Sequence, residues 1–257
     1  MKILATCLKC AEENKLTEQD PYSYVQYNEK MSTYVCNNGH KNNFKILNNK
    51  FELLYDSAII SFYDSYYREA VMNLYSCLEN FQEYVIKILL YSIKKLQYNE
   101  IESYLKRIKS RSECREGCFY SICKIYLDKD YFIDDKYKSL RNQVVHNGIF
   151  PDKRQTQNFA KYTFNFICNC YRDIIKILDK KSKCKFQSFS AEWINKDLIN
   201  KCELTIITTM LINGFHGVDF EDELKRFKSS IRDNYKSNNI NKLSLDKLQN
   251  IIFEEII

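Results

Sequence analysis

Apolar residues recur along this chain with two different spacings. From about residue 51 onward they fall at intervals of three and four, the repeat of one face of an α-helix. Over 53–66, Leu54, Ala58, Ile59 and Phe62 form such a face. A second helix is predicted over 67–96, where Ala70, Leu74, Cys77, Leu78, Phe81, Val85, Ile88 and Leu89 make one stripe. Shorter helices are predicted over 99–109 and 117–127, with a polar loop at 110–116 between them. Asp134 is placed to cap the next helix. Asn147 and Gly148 end it, because glycine accepts the left-handed conformation just past a helix C-terminus, and Pro151 follows. Residues 152–180 then form a long helix with Phe159, Tyr162, Phe166, Cys170, Ile174 and Ile177 inward. The predicted fold class is mainly α, an up-and-down bundle of four main helices with a short insert.

Residues 1–48 lack this repeat. Segments 22–27 and 31–36 are β-prone and partly alternating, and Asn28, Glu29 and Lys30 read as a hairpin turn between them. The chain therefore divides into a small β module at 1–48, a helical bundle at 49–182 and a C-terminal, mainly helical extension at 183–257, with a linker at 181–185. The β-branched run from Thr205 to Thr209 leaves a strand open as an alternative there. Leu245, Leu248, Ile252 and Ile256 form the apolar side of a terminal helix, and Trp193 is read as core.

Composition sharpens this picture in places. Only 5 Gly and 2 Pro among 257 residues leave few points at which a helix must break. The 20 Tyr and 16 Phe accompany many Lys, Asn and Ile, a bias that AT-rich coding sequence also produces, so they carry no functional weight. A formal charge of +6 permits a polyanionic partner without requiring one. The basic stretch of Lys106, Arg107, Lys109, Arg111 and Arg115 reads equally well as a phosphate contact or as a solvated face.

Eleven cysteines, an odd number, with no secretory signal between Met1 and Cys10, indicate a reducing, cytoplasmic setting with thiols buried or on metal. No run of about 18 apolar residues is present, and no membrane partner is expected.

Four potential ligands stand out. Cys7-x2-Cys10 and Cys36-x3-His40 are separated by residues 11–35. Two residues between thiols let both sulfurs point at one ion from a single turn, and Asn37, Asn38 and Gly39 supply a second tight turn. Three Cys and one His make a closed structural zinc set, and soft sulfur ligands favour Zn2+ over hard cations. Over about the first 45 residues the chain resembles a zinc ribbon. That resemblance implies a structural zinc with a role in folding and in recognition of RNA, DNA or protein. Cys114, Cys118 and Cys123 have no fourth partner nearby. Cys77, Cys168, Cys170, Cys184 and Cys202 lie among apolar residues as small buried hydrophobes.

The second constellation is Leu140-Arg141-Asn142-Gln143-Val144-Val145-His146-Asn147-Gly148. Asn142 and His146 are four apart and share a face, whereas the five-residue step from Arg141 to His146 turns about 140°, so Arg141 must reach round. Leu140 and Val144 point into the bundle. His146 sits in the last turn, where the helix dipole attracts a cation, and imidazole exchanges protons near neutral pH.

An Arg, a polar residue and, after a short interval, a His near the end of a bundle helix resemble the motif of HEPN-domain ribonucleases. The stretch from Tyr66 through Tyr67, Arg68, Glu69, Ala70 and Val71 to Leu78 and Glu79 is similar to the second helix of that family. The resemblance spans about residues 50–182. It implies a metal-independent endoribonuclease in which a ribose 2′-OH attacks the adjacent phosphodiester, giving a 2′,3′-cyclic phosphate and a 5′-OH. It assigns His146 to general acid or base chemistry, Arg141 to the phosphate, and Asn142 to orienting His146 or contacting RNA.

The family further implies a homodimer, a role in toxin or abortive-infection antiviral defence, an antitoxin or regulatory protein as partner, and no cofactor for catalysis. Two readings compete. One is a non-catalytic HEPN scaffold that binds nucleic acid or protein through the zinc ribbon. The other is a structural subunit that docks a partner through residues 186–257. His216 is read as a loop residue rather than a second base.

Overall fold

A computed structural model of the chain describes residues 2–5, 7, 9–10, 13, 23–26, 32–36, 38–108, 111–178, 203–205 and 209–236. The expected turn at 28–30, the linker at 181–185, Cys184, Trp193, Cys202 and the terminal helix from Leu245 to Ile256 lie outside the described residues. The chain forms two compact units, one of residues 1–48, 190–208 and 224–257, the other of 49–189 and 209–223.

The second unit is helical. Its elements are α1 (Lys50–Tyr63), α2 (Tyr67–Ser92), α3 (Tyr98–Ile108), α4 (Ser112–Leu127), α5 (Asp135–His146), α6 (Lys153–Ile177) and α7 (Met210–Phe215), followed by the start of α8 (Phe220–Lys236). Every residue of the apolar stripe read on α2 is buried. Burying side chains of that size contributes roughly 1.5–3 kcal/mol each. Phe81 meets Phe51 at 5.2 Å and Phe119 at 6.4 Å, and Phe119 meets Phe166 at 6.2 Å, so rings from α1, α2, α4 and α6 share one core. The Tyr55 hydroxyl donates to the Ala160 carbonyl at 3.0 Å and ties α1 to α6.

Two helix starts and one stop follow from local chemistry. The Asp134 carboxylate accepts the Lys136 N–H and caps α5. Asp152 caps α6 in a reciprocal box with Gln155, which satisfies two otherwise orphaned N–H groups. Gly148 follows α5 at φ +67°, the left-handed conformation expected of it.

Two expectations need correction in this unit. Residues 110–116 are not a loop as a whole, because α4 already begins at Ser112. Its polar first turn hides the helix from a reading based on apolar spacing. Arg115 accordingly leaves the basic stretch: it is buried, its guanidinium pairs with Glu79 at 2.5 Å and contacts Gln82 at 3.5 Å. On α6, Ile177 is 42% exposed rather than inward, because it lies in the last turn of the helix.

The first unit is built on short strands: β1 (Lys2–Ala5), β2 (Ser23–Gln26), β3 (Ser32–Val35), β4 (Lys41–Ile46) and β5 (Glu203–Thr205). Among the described residues the two segments expected to form a hairpin, at 22–27 and 31–36, contribute β2 and β3 to different sheets rather than pairing with each other. β2 pairs antiparallel with β1, setting Ile3 opposite Val25, and β3 pairs antiparallel with β4, setting Tyr34 opposite Asn42. The turn between β3 and β4 carries Asn38 and Gly39. Gly39 sits at φ +79° with its N–H on the Cys36 carbonyl at 2.9 Å, and the Cys36 N–H reaches the His40 carbonyl at 3.0 Å. Glycine takes this left-handed conformation without the steric cost of a Cβ. β5 then adds to β4 in parallel, with Phe44 opposite Glu203.

Candidate functional site

The strand pairing brings the four N-terminal ligands together. β1 leads into the turn of Cys7 and Cys10, while the β3–β4 turn carries Cys36 and His40. One ligand atom from each of the four lies within 4.8 Å of all the others. Among the described residues no other group of three or more ligating side chains converges in this way. Cys10 Sγ stands 3.7 Å from Cys36 Sγ and 3.2 Å from His40 Nδ1, and Cys7 Sγ stands 3.7 Å from the same nitrogen. Tetrahedral coordination with bonds of about 2.0–2.3 Å has ligand–ligand edges of roughly 3.3–3.8 Å; the contacts of 3.2 and 3.7 Å lie close to that range and the rest are within 4.8 Å, so the four could close on one ion of that size.

The surroundings suit sulfurs that carry negative charge. The Cys10 N–H donates to Cys7 Sγ at 3.4 Å, the His40 N–H to Cys36 Sγ at 3.3 Å, and the Asn38 amide to Cys10 Sγ at 3.3 Å. Cys7 contacts the Asn42 side chain at 3.2 Å, and Asn42 also bonds the His40 carbonyl at 2.9 Å. Burial pushes the Cys36 thiol up, but the His40 N–H and its other hydrogen-bond partners outweigh it and the net shift is downward. The Asn38 amide lowers Cys10, yet burial and the neighbouring thiols win and carry it to about 11. Cys10 and Cys36, side by side, are thus shifted in opposite directions. On the far side of the ring, His40 Nε2 lies 3.6 Å from the Glu13 carboxylate. Nδ1 is therefore the nitrogen that faces the sulfurs and could ligate an ion, with Glu13 placed on the other side of the ring as an outer partner would be.

Cys114, Cys118 and Cys123 do not assemble a second cluster. Cys114 is exposed, Cys123 is buried, and Cys118 lies 3.1 Å from the Tyr104 hydroxyl.

The second constellation lies on the surface of α5. Leu140 and Val144 are buried and anchor the helix, which leaves Asn142 and His146 exposed and Arg141 half-buried. Arg141 Nη1 reaches His146 Nε2 at 3.4 Å. A guanidinium only donates, so the contact is a hydrogen bond when Nε2 carries its lone pair. The same Nη1 donates to Asn142 Oδ1 at 3.0 Å. Asn142 therefore holds Arg141 rather than His146.

Arg141 also stacks over the ring of Tyr75, from α2, at 5.2 Å. No sequence signal pointed to Tyr75, which is 66 positions earlier on another helix. Burial raises the Tyr75 hydroxyl, Glu116 and Glu79 raise it further, and Arg141 and Lys138 oppose them. Both carboxylates are already engaged, Glu79 by Arg115 and Glu116 by Lys138 at 2.6 Å. Arg141 makes no ion pair among the described residues. A guanidinium oriented by an amide and a ring, next to an imidazole and open to solvent, is suited to an external anion. His216 is exposed at the C-terminal end of α7.

No protein-family model matches the chain, and no curated protein or solved structure matches it. No helix among the described residues is long and apolar enough to cross a membrane.

Proposed function

We propose that this chain is a metal-independent endoribonuclease of the HEPN type, cytoplasmic and active in toxin or antiviral defence, with a zinc-ribbon-like module at its N-terminus. The observation that carries this reading is Arg141, a cation with no carboxylate partner among the described residues, set 3.4 Å from a solvent-facing imidazole. The His146 imidazole takes the proton of a ribose 2′-OH as that oxygen bonds to phosphorus, Nε2 giving up its contact with Arg141 as the guanidinium turns to the phosphate. Arg141 stabilises the charge gathering on the phosphoryl oxygens. The P–O5′ bond then breaks, and O5′ is protonated by the imidazolium of a second copy of the chain in a homodimer. Cys7, Cys10, Cys36 and His40 hold Zn2+ in a closed set that leaves no position for a catalytic water.

Purified chain incubated with RNA in EDTA tests the reading. Expected are fragments ending in 2′,3′-cyclic phosphate, lost in His146→Ala and in Arg141→Ala with an unchanged far-UV spectrum. No cleavage, or cleavage indifferent to both substitutions, overturns it in favour of a non-catalytic scaffold that binds nucleic acid or protein through the metal module. The closed cluster is the feature that favours that second reading.

A further inference from the structure

A groove of about 670 Å3 runs between α5 and α6, within the ~300–1,000 Å3 of small-ligand clefts. Its floor is aromatic. Tyr137 stacks on Phe159 with centroids 4.7 Å apart and lies 4.4 Å from Tyr162. Both tyrosine hydroxyls are spent on backbone, Tyr137 on the Asn158 carbonyl and Tyr162 on the Phe132 carbonyl. The walls are amide and cationic. They include Gln143, Gln155, Asn158, Asn165, Lys136 and Lys161, and no carboxylate lines the groove.

The side-chain amides of Asn158 and Asn165 face solvent and have no hydrogen-bond partner among the described residues. Lys136 pairs with Asp134 and Lys161 with Glu221, each at 2.9 Å and largely in solvent. Such exposed pairs are weakly held and exchange readily for a phosphate.

The direction of the groove matters as much as its lining. The short connection 147–152 makes α5 and α6 antiparallel neighbours, so Gln143 and Gln155 lie at the end near that connection. His146 is one helical turn beyond Gln143 on the same strip of α5. The connection then carries Phe150, 82% exposed, a ring with a free face on which a base can stack.

We infer that the α5–α6 groove holds the single-stranded RNA segment adjoining the bond cleaved at Arg141 and His146. Lys136 and Lys161 take its phosphates, Asn158 and Asn165 its base edges, and Phe150 a base face. The cleavage half of this statement rests on the ribonuclease reading; the binding half does not. Splayed bases expose the edges that amides read, whereas an A-form duplex withholds them.

Fluorescence anisotropy tests the inference with a short fluorescein-labelled RNA of mixed sequence, on full-length chain carrying His146→Ala so that the probe survives. Adding Lys136→Glu with Lys161→Glu, or Asn158→Ala with Asn165→Ala, is expected to raise Kd at least about tenfold. The same RNA annealed to its complement is expected to bind more weakly. Unchanged Kd in both double variants, or a duplex bound as tightly as the single strand, overturns the inference. Loss of RNA affinity in the groove variants of a chain that cleaves no RNA retains the groove and overturns the ribonuclease reading alone.

Discussion

Arg141 and His146 meet at 3.4 Å although they stand five positions apart on α5. That step turns about 140° round the helix, so neither side chain points at the other by default. The contact exists because Arg141 sits over the Tyr75 ring at 5.2 Å and is held by Asn142 at 3.0 Å. The pair is therefore prepared by a residue on α2 as much as by its own helix.

Tyr75→Ala removes the ring beneath the guanidinium. A partly exposed cation–π contact contributes about 0.5–1 kcal/mol, so RNA cleavage is expected to fall roughly two- to fivefold. Tyr75→Phe keeps the ring and is expected to retain wild-type rates. Single-turnover cleavage of a labelled RNA distinguishes the two, and equal loss in both substitutions contradicts the stacking role.

Elemental analysis is expected to find one zinc per chain, lost in Cys7→Ala and in Cys36→Ala. Glu13→Gln leaves all four ligands but removes the carboxylate behind His40. Outer partners of this kind are worth about 10–100-fold in metal affinity. Competition with a chromophoric chelator measures the change, and an unaltered affinity excludes Glu13 as that partner.

Arg115→Ala leaves Glu79 without its guanidinium partner inside the bundle. Losing a charged hydrogen bond there is expected to cost about 2 kcal/mol, read as a lower urea midpoint. RNA affinity is expected to stay as in the parent chain, because Arg115 faces the core rather than solvent. Weakened RNA binding without destabilisation would return this residue to a phosphate-contacting surface.

Asp173 gives a pH dependence with a definite sign. Burial raises its carboxyl, but the Tyr131 hydroxyl at 2.6 Å, Lys176 at 2.9 Å and Lys129 at 3.5 Å outweigh it and the net shift is downward. A carboxyl lowered on folding stabilises fully above its unfolded value, about 3.9, and the contribution is lost as pH falls through the lower folded value. Asp173→Asn is expected to be less stable than wild type at neutral pH. The gap should narrow as pH drops from about 5 to about 2. A gap constant over that range in urea titrations contradicts the assignment.

Much of this architecture can be read from residues alone, for identifiable reasons. The α2 stripe and the inward Leu140 and Val144 follow from helical spacing, and Asp134 and Gly148 act where cap chemistry places them. The convergence of Cys7, Cys10, Cys36 and His40 follows from the paired spacing. Strand partners were less legible. Four-residue strands alternate equally well against any neighbour, so spacing alone does not tell that β3 pairs with β4. Long-range side-chain relations were invisible. Neither Tyr75 beneath Arg141 nor Glu13 behind His40 belongs to a local pattern, and the polar opening of α4 masked the burial of Arg115.

The parallel strand β5 has a consequence for biosynthesis. Its partner β4 leaves the ribosome more than 150 residues earlier, since Phe44 pairs with Glu203. Until residue 205 emerges, one side of β4 offers unpaired backbone amides and carbonyls, an edge that templates aggregation. A nascent chain must carry this open edge through synthesis of all six long helices, α1 to α6. Fragments ended before residue 203 are therefore expected to be sticky, and co-translational chaperone contact to matter most around β4 rather than around the helices that follow it.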